Sequence, residues 1–140
     1  MIDGRDAILQ ALLDDSAQRF DVASAVVVLR DARSGVLRIA ASVGLDTAAS
    51  EGLTAAIARP GHPIARTFAE PTATWNVTPI NPGGPALRSH LPLVVRHDAV
   101  DRVVGVLALA HDRAIEPDVR PDIEAIGRLA ATAIDQDGAG

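Results

Sequence analysis

The stretch SAVVVLRDARSGVLRIAASV, residues 24–43, decides the fold. Its first seven residues, Ser24–Arg30, hold a β-branched run that is too short for a helix and has no polar alternation, so they read as a central strand covered on both faces. DARSG, residues 31–35, is a turn, with Gly35 suited to the left-handed position of a bulged hairpin. Residues 36–43 then alternate: Leu37, Ile39, Ala41 and Val43 face one way, and Val36, Arg38, Ala40 and Ser42 the other, as in a half-buried strand near an edge. A second hairpin follows far along the chain. Residues 88–96 form a strand with Pro92 inside it, which predicts a bulge or an unpaired side there. Residues 97–101 turn, and RVVGVLALA, residues 102–110, is a second central strand whose Gly105 predicts a close approach of another group to the backbone.

The remaining elements fit around these hairpins. Residues 4–20 keep helical spacing through Ile8, Leu9, Leu12, Leu13, Ser16 and Phe20. Gly44 ends the first hairpin, and Asp46 or Thr47 can cap a helix through Ala58. RPGHP, residues 59–63, breaks it, and Pro63 can open a short helix over 64–68. Residues 72–77 read as a short strand and 78–86 as a loop. Residues 118–135 form the last helix, with Val119, Ile123, Ile126, Ala130 and Ala133 as its apolar stripe and Asp118, Asp122 and Glu124 complementing its dipole. The order predicts an α+β fold: an antiparallel sheet of five or six strands, the first and last helices on one face, and residues 52–86 on the other.

The 140 residues suit one domain, placed at 1–135 with 136–140 as a frayed tail. With 48% hydrophobic and 22% charged residues the composition is that of an ordinary globular chain. A net charge of −5 argues against a nucleic-acid binder, which needs a basic face. The absence of cysteine removes disulfides, thiolate metal sites and thiol catalysis. All 13 basic residues are arginine, which removes Schiff-base chemistry and the phosphate-loop lysine, and together with abundant alanine suggests a GC-rich bacterial source. No targeting segment is visible and the longest apolar run, residues 103–110, cannot span a bilayer, so a cytoplasmic protein without membrane contact is expected.

Catalytic and metal patterns are lacking. His62, His90, His97 and His111 show no paired ligand spacing, and no Gly-x-Ser-x-Gly elbow occurs. His97 with Asp98 and Asp101 reads as a solvated hairpin tip, and His111 with Asp112 as a solvated strand end.

Several motifs together resemble the GAF domain, a small-molecule sensing fold of phytochromes, phosphodiesterases and bacterial signalling proteins. Residues 24–45, SAVVVLRDARSGVLRIAASVGL, are similar to its opening hairpin with a V-x-x-G-L exit. Residues 61–75, GHPIARTFAEPTATW, are similar to its G-x-x-G-x-x-x-x-x-G-E-P-x-x-V helix and strand. RVVGVLALA and then EPDVRPDIEAIGRLAATAI, residues 116–134, resemble its G-V-L-x-L strand and acidic last helix. Residues 87–93, LRSHLPL, are about two residues short of the usual R-S-x-L-x-V-P-L, and no output domain is attached, as for a stand-alone or trimmed module. The competing resemblance is to other profilin-like folds, the PAS-type and roadblock-type domains; residues 61–75 and the two-hairpin order favour the GAF reading.

The resemblance implies a non-catalytic sensor domain that binds an unknown small molecule non-covalently and signals through the packing of its terminal helices. The family's reductases and bilin-binding members need cysteine and its cyclic-nucleotide binders need lysine, so no cofactor is expected and covalent bilin is excluded. Non-covalent haem or another small ligand is left open: a haem-binding subfamily uses a histidine in the loop before the fourth strand, and residues 81–87 hold none, although His90 is near. The fold places the ligand between the sheet and the middle segment. Its candidate contacts are His62 at the start of the short helix, Phe68 and Trp75 for a flat ligand, Arg66 and Arg88 for an anionic group, and His90. Each has a plain structural alternative: capping for His62, core packing for the aromatics, solvent for the arginines. A homodimer through the first and last helices is expected, with Leu129 beside small Ala125 and Thr132, as is a signalling protein partner. The alternative is a ligand-free interaction or dimerisation module, whose mark would be a pocket filled by Trp75 and Phe68.

Overall fold

The computed structural model describes residues 4–31, 33–79 and 84–139. Helix α1 is Gly4–Phe20 and leads into strands β1, Ser24–Arg30, and β2, Leu37–Val43. Helices α2, Thr47–Ile57, and α3, Pro63–Ala69, follow, then β3, Thr74–Val77, β4, Leu87–His97, β5, Val100–His111, and α4, Arg120–Ala139. The five strands form one antiparallel sheet in the order β2-β1-β5-β4-β3. This is the expected α+β architecture. The last helix starts two residues later than the sequence suggests and runs on through most of the stretch read as a tail; Gly140 and the loop at 80–83 lie outside the described residues.

Local chemistry explains the boundaries. Gly35 has a φ of +74° and closes the first hairpin, where its amide donates to the Asp31 carbonyl at 2.9 Å. Asp46 caps α2, its carboxylate accepting from Ala49 N at 2.7 Å. Asp21, at φ 53°, ends α1 in the left-handed region. The second hairpin turns on Asp98 and Ala99 alone, both at positive φ, as the two-residue turns that match strand twist require. The pairs of β4 with β3 stop at His90, so the outer side of β4 is unpaired at Pro92, and a bulge follows between Leu93 and Val94.

Two apolar layers flank the sheet. On the first face Ala25, Val27, Leu29, Leu91, Leu93, Leu107 and Leu109 pack under Leu9 and Leu13 of α1 and Ile123, Ala130 and Ile134 of α4. On the second face a smaller cluster joins Val26, Val28 and Val106 to Ile57 of α2 and to Ile64 and Phe68 of α3. The expected alternation of β2 fails at a bulge. Val27 pairs with Ala41 but Val28 with Ile39, so Ala40 is an extra residue. Leu37 and Ile39 therefore join the second face, while Ala41 and Val43 join the first. The stripe of α4 also shifts: Val119 precedes the helix, and Ala131 and Ile134 are buried where Ala133 was expected.

The outer edge of β2 is closed by a side chain. Gln10 of α1 donates to the Ser42 carbonyl at 2.7 Å and accepts from the Ser42 amide at 3.4 Å, standing in for a sixth strand at that point. Among the described residues no helix is long and apolar enough to cross a membrane.

Candidate functional site

The second face carries a polar patch where α3 meets β3 and β4. Thr74 pairs across the sheet with His90, and His90 with Ala108, so all three point to the side of Val26 and α3. His90 is buried, and its Nδ1 lies 3.3 Å from Thr74 Oγ1. Burial first, then the positive ends of His62 and Arg88 nearby, lower its pKa to about 4. The imidazole is therefore uncharged at neutral pH and can both give and take a hydrogen bond. Its Nε2 makes no hydrogen bond among the described residues.

His62 arrives at the same patch as the cap of α3. Its Nδ1 accepts from Ile64 N at 3.1 Å, with Pro63 opening the helix. Partial burial lowers its pKa as well. Arg88, half-buried two residues before His90 and on the same face, donates from Nη1 to the Pro85 carbonyl at 2.6 Å and to the Leu87 carbonyl at 3.2 Å. Together these groups offer two neutral imidazoles, one hydroxyl and one fixed cation.

The other expected contacts are placed differently. Phe68 belongs to the second face but fills its core, with the Arg30 guanidinium 5.2 Å from its ring centre. Trp75 lies on the opposite face, against the core under α4, with Arg120 5.3 Å over its ring. It follows Thr74 in a strand, so it must point away from His90. Trp75 therefore cannot join Phe68 in one pocket, either to stack on a ligand or to fill it. Arg66 is exposed on α3. Most of the loop weighed for a haem ligand, at 80–83, lies outside the described residues.

A buried polar network went unread in the sequence. Ser89 and His111, each 1% exposed, lie 2.9 Å apart from Oγ to Nε2. His111 Nδ1 donates to the Arg113 carbonyl at 2.7 Å, and Ser89 Oγ accepts from Asn76 N at 3.0 Å. Asn76, held at φ 58°, exchanges side-chain hydrogen bonds with the Ile115 backbone at 3.1 and 2.7 Å. His111 is thus a buried structural residue, not a solvated one. His97 is exposed as expected but binds Asp135 of α4 at 3.0 Å. Among the described residues no group of three or more His, Cys, Asp or Glu side chains could hold a metal ion.

A family model described as "GAF domain" matches residues 5–136. Among solved structures, the GAF domain of a phosphoenolpyruvate-protein phosphotransferase from Coxiella burnetii superposes with a TM-score of 0.78 at 11% identity, covering 99% of this chain and 86% of that one. A domain of a putative two-component sensor histidine kinase protein from Sinorhizobium meliloti gives 0.71 at 19% identity, over 96% and 93%. A type II free methionine-R-sulfoxide reductase from Thermoplasma acidophilum gives 0.69 at 13%, over 94% and 93%. These likenesses establish the fold. No curated protein matches the chain.

Proposed function

The chain belongs to the GAF domain family, whose members generally act as small-molecule sensor and regulatory modules and are typically non-catalytic, and on that premise we propose that its sensing site is the His62–Thr74–Arg88–His90 patch. The observation that carries this reading is the buried, uncharged imidazole of His90, whose Nε2 is left without a described partner beside a fixed arginine. Such a site suits a small polar molecule that exchanges hydrogen bonds with imidazole and carries at most one negative charge, directed at Arg88. The path to the terminal helices is short. Leu91, next in the strand, points to the first face, where an atom in the place of a Cβ on Gly127 of α4 would sit 2.7 Å from its Cδ2. A ligand that moves β4 at His90 must move that contact.

A homodimer through α1 and α4 completes the proposal. Ile8 and Leu129 are 52% and 59% exposed on those helices, apolar side chains that a second copy would cover. Sedimentation on the order of tens of micromolar tests this, and a monomer there overturns it.

One observation favours the other reading, a ligand-free interaction module: Ile57, Ile64 and Phe68 already fill the second face. Native mass spectrometry of the freshly purified protein, with an absorption spectrum of the same sample, separates the two. A discrete added mass that is lost in His90→Leu supports the sensing site. Bare polypeptide mass in both, with no small molecule shifting His90 resonances in a metabolite screen, overturns it in favour of the interaction module.

A further inference from the structure

The deepest charge anomaly lies away from that patch, at the end of the sheet where β1 leaves and β5 enters. A groove of about 490 Å³ opens there between the first turn of α1 and the C-terminal part of α4. Arg5, Arg30, Arg38 and Arg102 line it, with Asp31 as its one carboxylate. The chain as a whole carries −5, yet four of its 13 basic residues line this groove, although the Arg30 guanidinium itself turns to Phe68 on the other face of the sheet.

The acids nearby engage Arg5 and, in part, Arg102, but leave Arg38 without a close partner among the described residues. Asp31 accepts from Arg33 N and Ser34 N, both at 2.8 Å, and those turn amides are the main cause of its lowered pKa. Asp135 lies 3.6 Å from Arg102 but is shared with His97 at 3.0 Å. Asp6 reaches Arg5 at 3.4 Å. Arg30 rests on the ring of Phe68. Arg38 is exposed and makes no hydrogen bond and no ion pair within 4 Å among the described residues, although it lies near enough to Asp31 to help hold that carboxyl's pKa down. Arg38 and Arg102 both line the groove on the face of Leu29 and Ile134, and the planar forks of their guanidiniums match phosphate oxygens two at a time. The first turn of α1 adds the positive end of a 17-residue helix.

The floor is apolar. Leu29, Val104 and Ile134 form it, the last two beside Gly105, where no side chain intervenes. Apolar floor and cationic rim call for a molecule with two unlike parts, and the volume falls within the usual range for small-molecule sites. We propose that this groove binds a small organic phosphate, its phosphate held by Arg38 and Arg102 and its body lying on Leu29 and Ile134. The site is independent of the His90 patch and stands or falls without it.

The test titrates the full chain with adenosine 5′-monophosphate and with phenyl phosphate, with adenosine and phenol as phosphate-free controls, by calorimetry and backbone amide shifts. The expected result is saturable binding of at least one phosphate, shifts centred on residues 29–31, 38 and 102–104, and weaker or no binding of the controls. Arg38→Glu and the milder Arg38→Gln should each weaken binding by about tenfold or more, while Arg66→Glu, on exposed α3, should leave it unchanged. No saturable binding of either phosphate up to about 10 mM overturns the proposal. So does equal weakening by Arg66→Glu, which would mark general attraction to arginine, or a shift pattern centred on His90.

Discussion

Ser89 Oγ stands 2.9 Å from His111 Nε2 at a point that solvent does not reach. Because His111 Nδ1 must donate to the Arg113 carbonyl, and Ser89 already accepts from Asn76 N, one arrangement satisfies all four groups: the serine hydroxyl donates to Nε2. The pair has the parts of a nucleophile and its base but no access, so its role is to tie β4 to β5 and to the loop before α4. Ser89→Ala leaves a buried amide and a buried ring nitrogen unpaired. We expect a loss of about 1–3 kcal/mol in urea denaturation. A loss below about 0.5 kcal/mol would show that the network contributes nothing to stability.

The pH dependence of stability should follow His90. The folded pKa of about 4 lies below the ordinary 6.5. Between those values the unfolded chain binds a proton that the folded chain refuses, so stability is fully present above 6.5 and is lost as pH falls toward 4. The loss amounts to about 3 kcal/mol across the window, and His62 adds to it in the same direction. Denaturation midpoints at about pH 7, 6 and 5 measure it. His90→Leu should flatten the decline; an unchanged slope would place the proton elsewhere.

Much of this fold is legible because its signals are local. The apolar runs at Val26–Val28 and Val103–Ala110, the glycine at 35 and the aspartate at 46 each act within a few residues. What stayed hidden depends on register. Nothing near Trp75 says which face it takes; that is fixed when Thr74 pairs with His90. The extra Ala40 reverses half of β2 and leaves no mark on an alternating sequence. The His111 network joins residues 76, 89, 113 and 115, and the arginine groove joins 5, 30, 38 and 102, so neither has a spacing to read. Of the expected site, His62, His90 and Arg88 do come together because one helix cap and one strand carry them.

Gly105 tests the close approach that its place in a strand suggested. A Cβ there would lie 3.0 Å from the Val28 carbonyl oxygen and 3.3 Å from Ile134 Cδ1. The first is backbone in the centre of the sheet and cannot yield without disturbing the β1–β5 pairing. Gly105→Ala should cost about 1–3 kcal/mol. Gly44→Ala should cost at least as much, since Gly44 has a φ of +79° and a Cβ would collide with the Ala23 carbonyl oxygen. Thermal melting of both variants against Gly52→Ala, which meets nothing within 4 Å, separates the steric effect from a general glycine effect. Equal melting of all three would sink the argument.

The second hairpin offers a change in the opposite direction. Ala99 sits at φ 65° in the exposed two-residue turn Asp98-Ala99, between His97 and Val100 at the end of the ladder. A Cβ in that region crowds the following carbonyl at a cost of about 1–2 kcal/mol, and turns of this kind favour Asp-Gly or Asn-Gly. Asp98 already supplies the first residue of that pair. Ala99→Gly removes the crowding but adds freedom to the unfolded chain, which offsets up to about 1 kcal/mol. The expected balance is a gain of about 0.5–1 kcal/mol, read as a higher urea midpoint with an unchanged slope. Ala99→Val, with a branched side chain at the same positive φ, should move the midpoint down. If glycine lowers the midpoint as valine does, the turn is not strained at Ala99 and the left-handed cost is met by another contact.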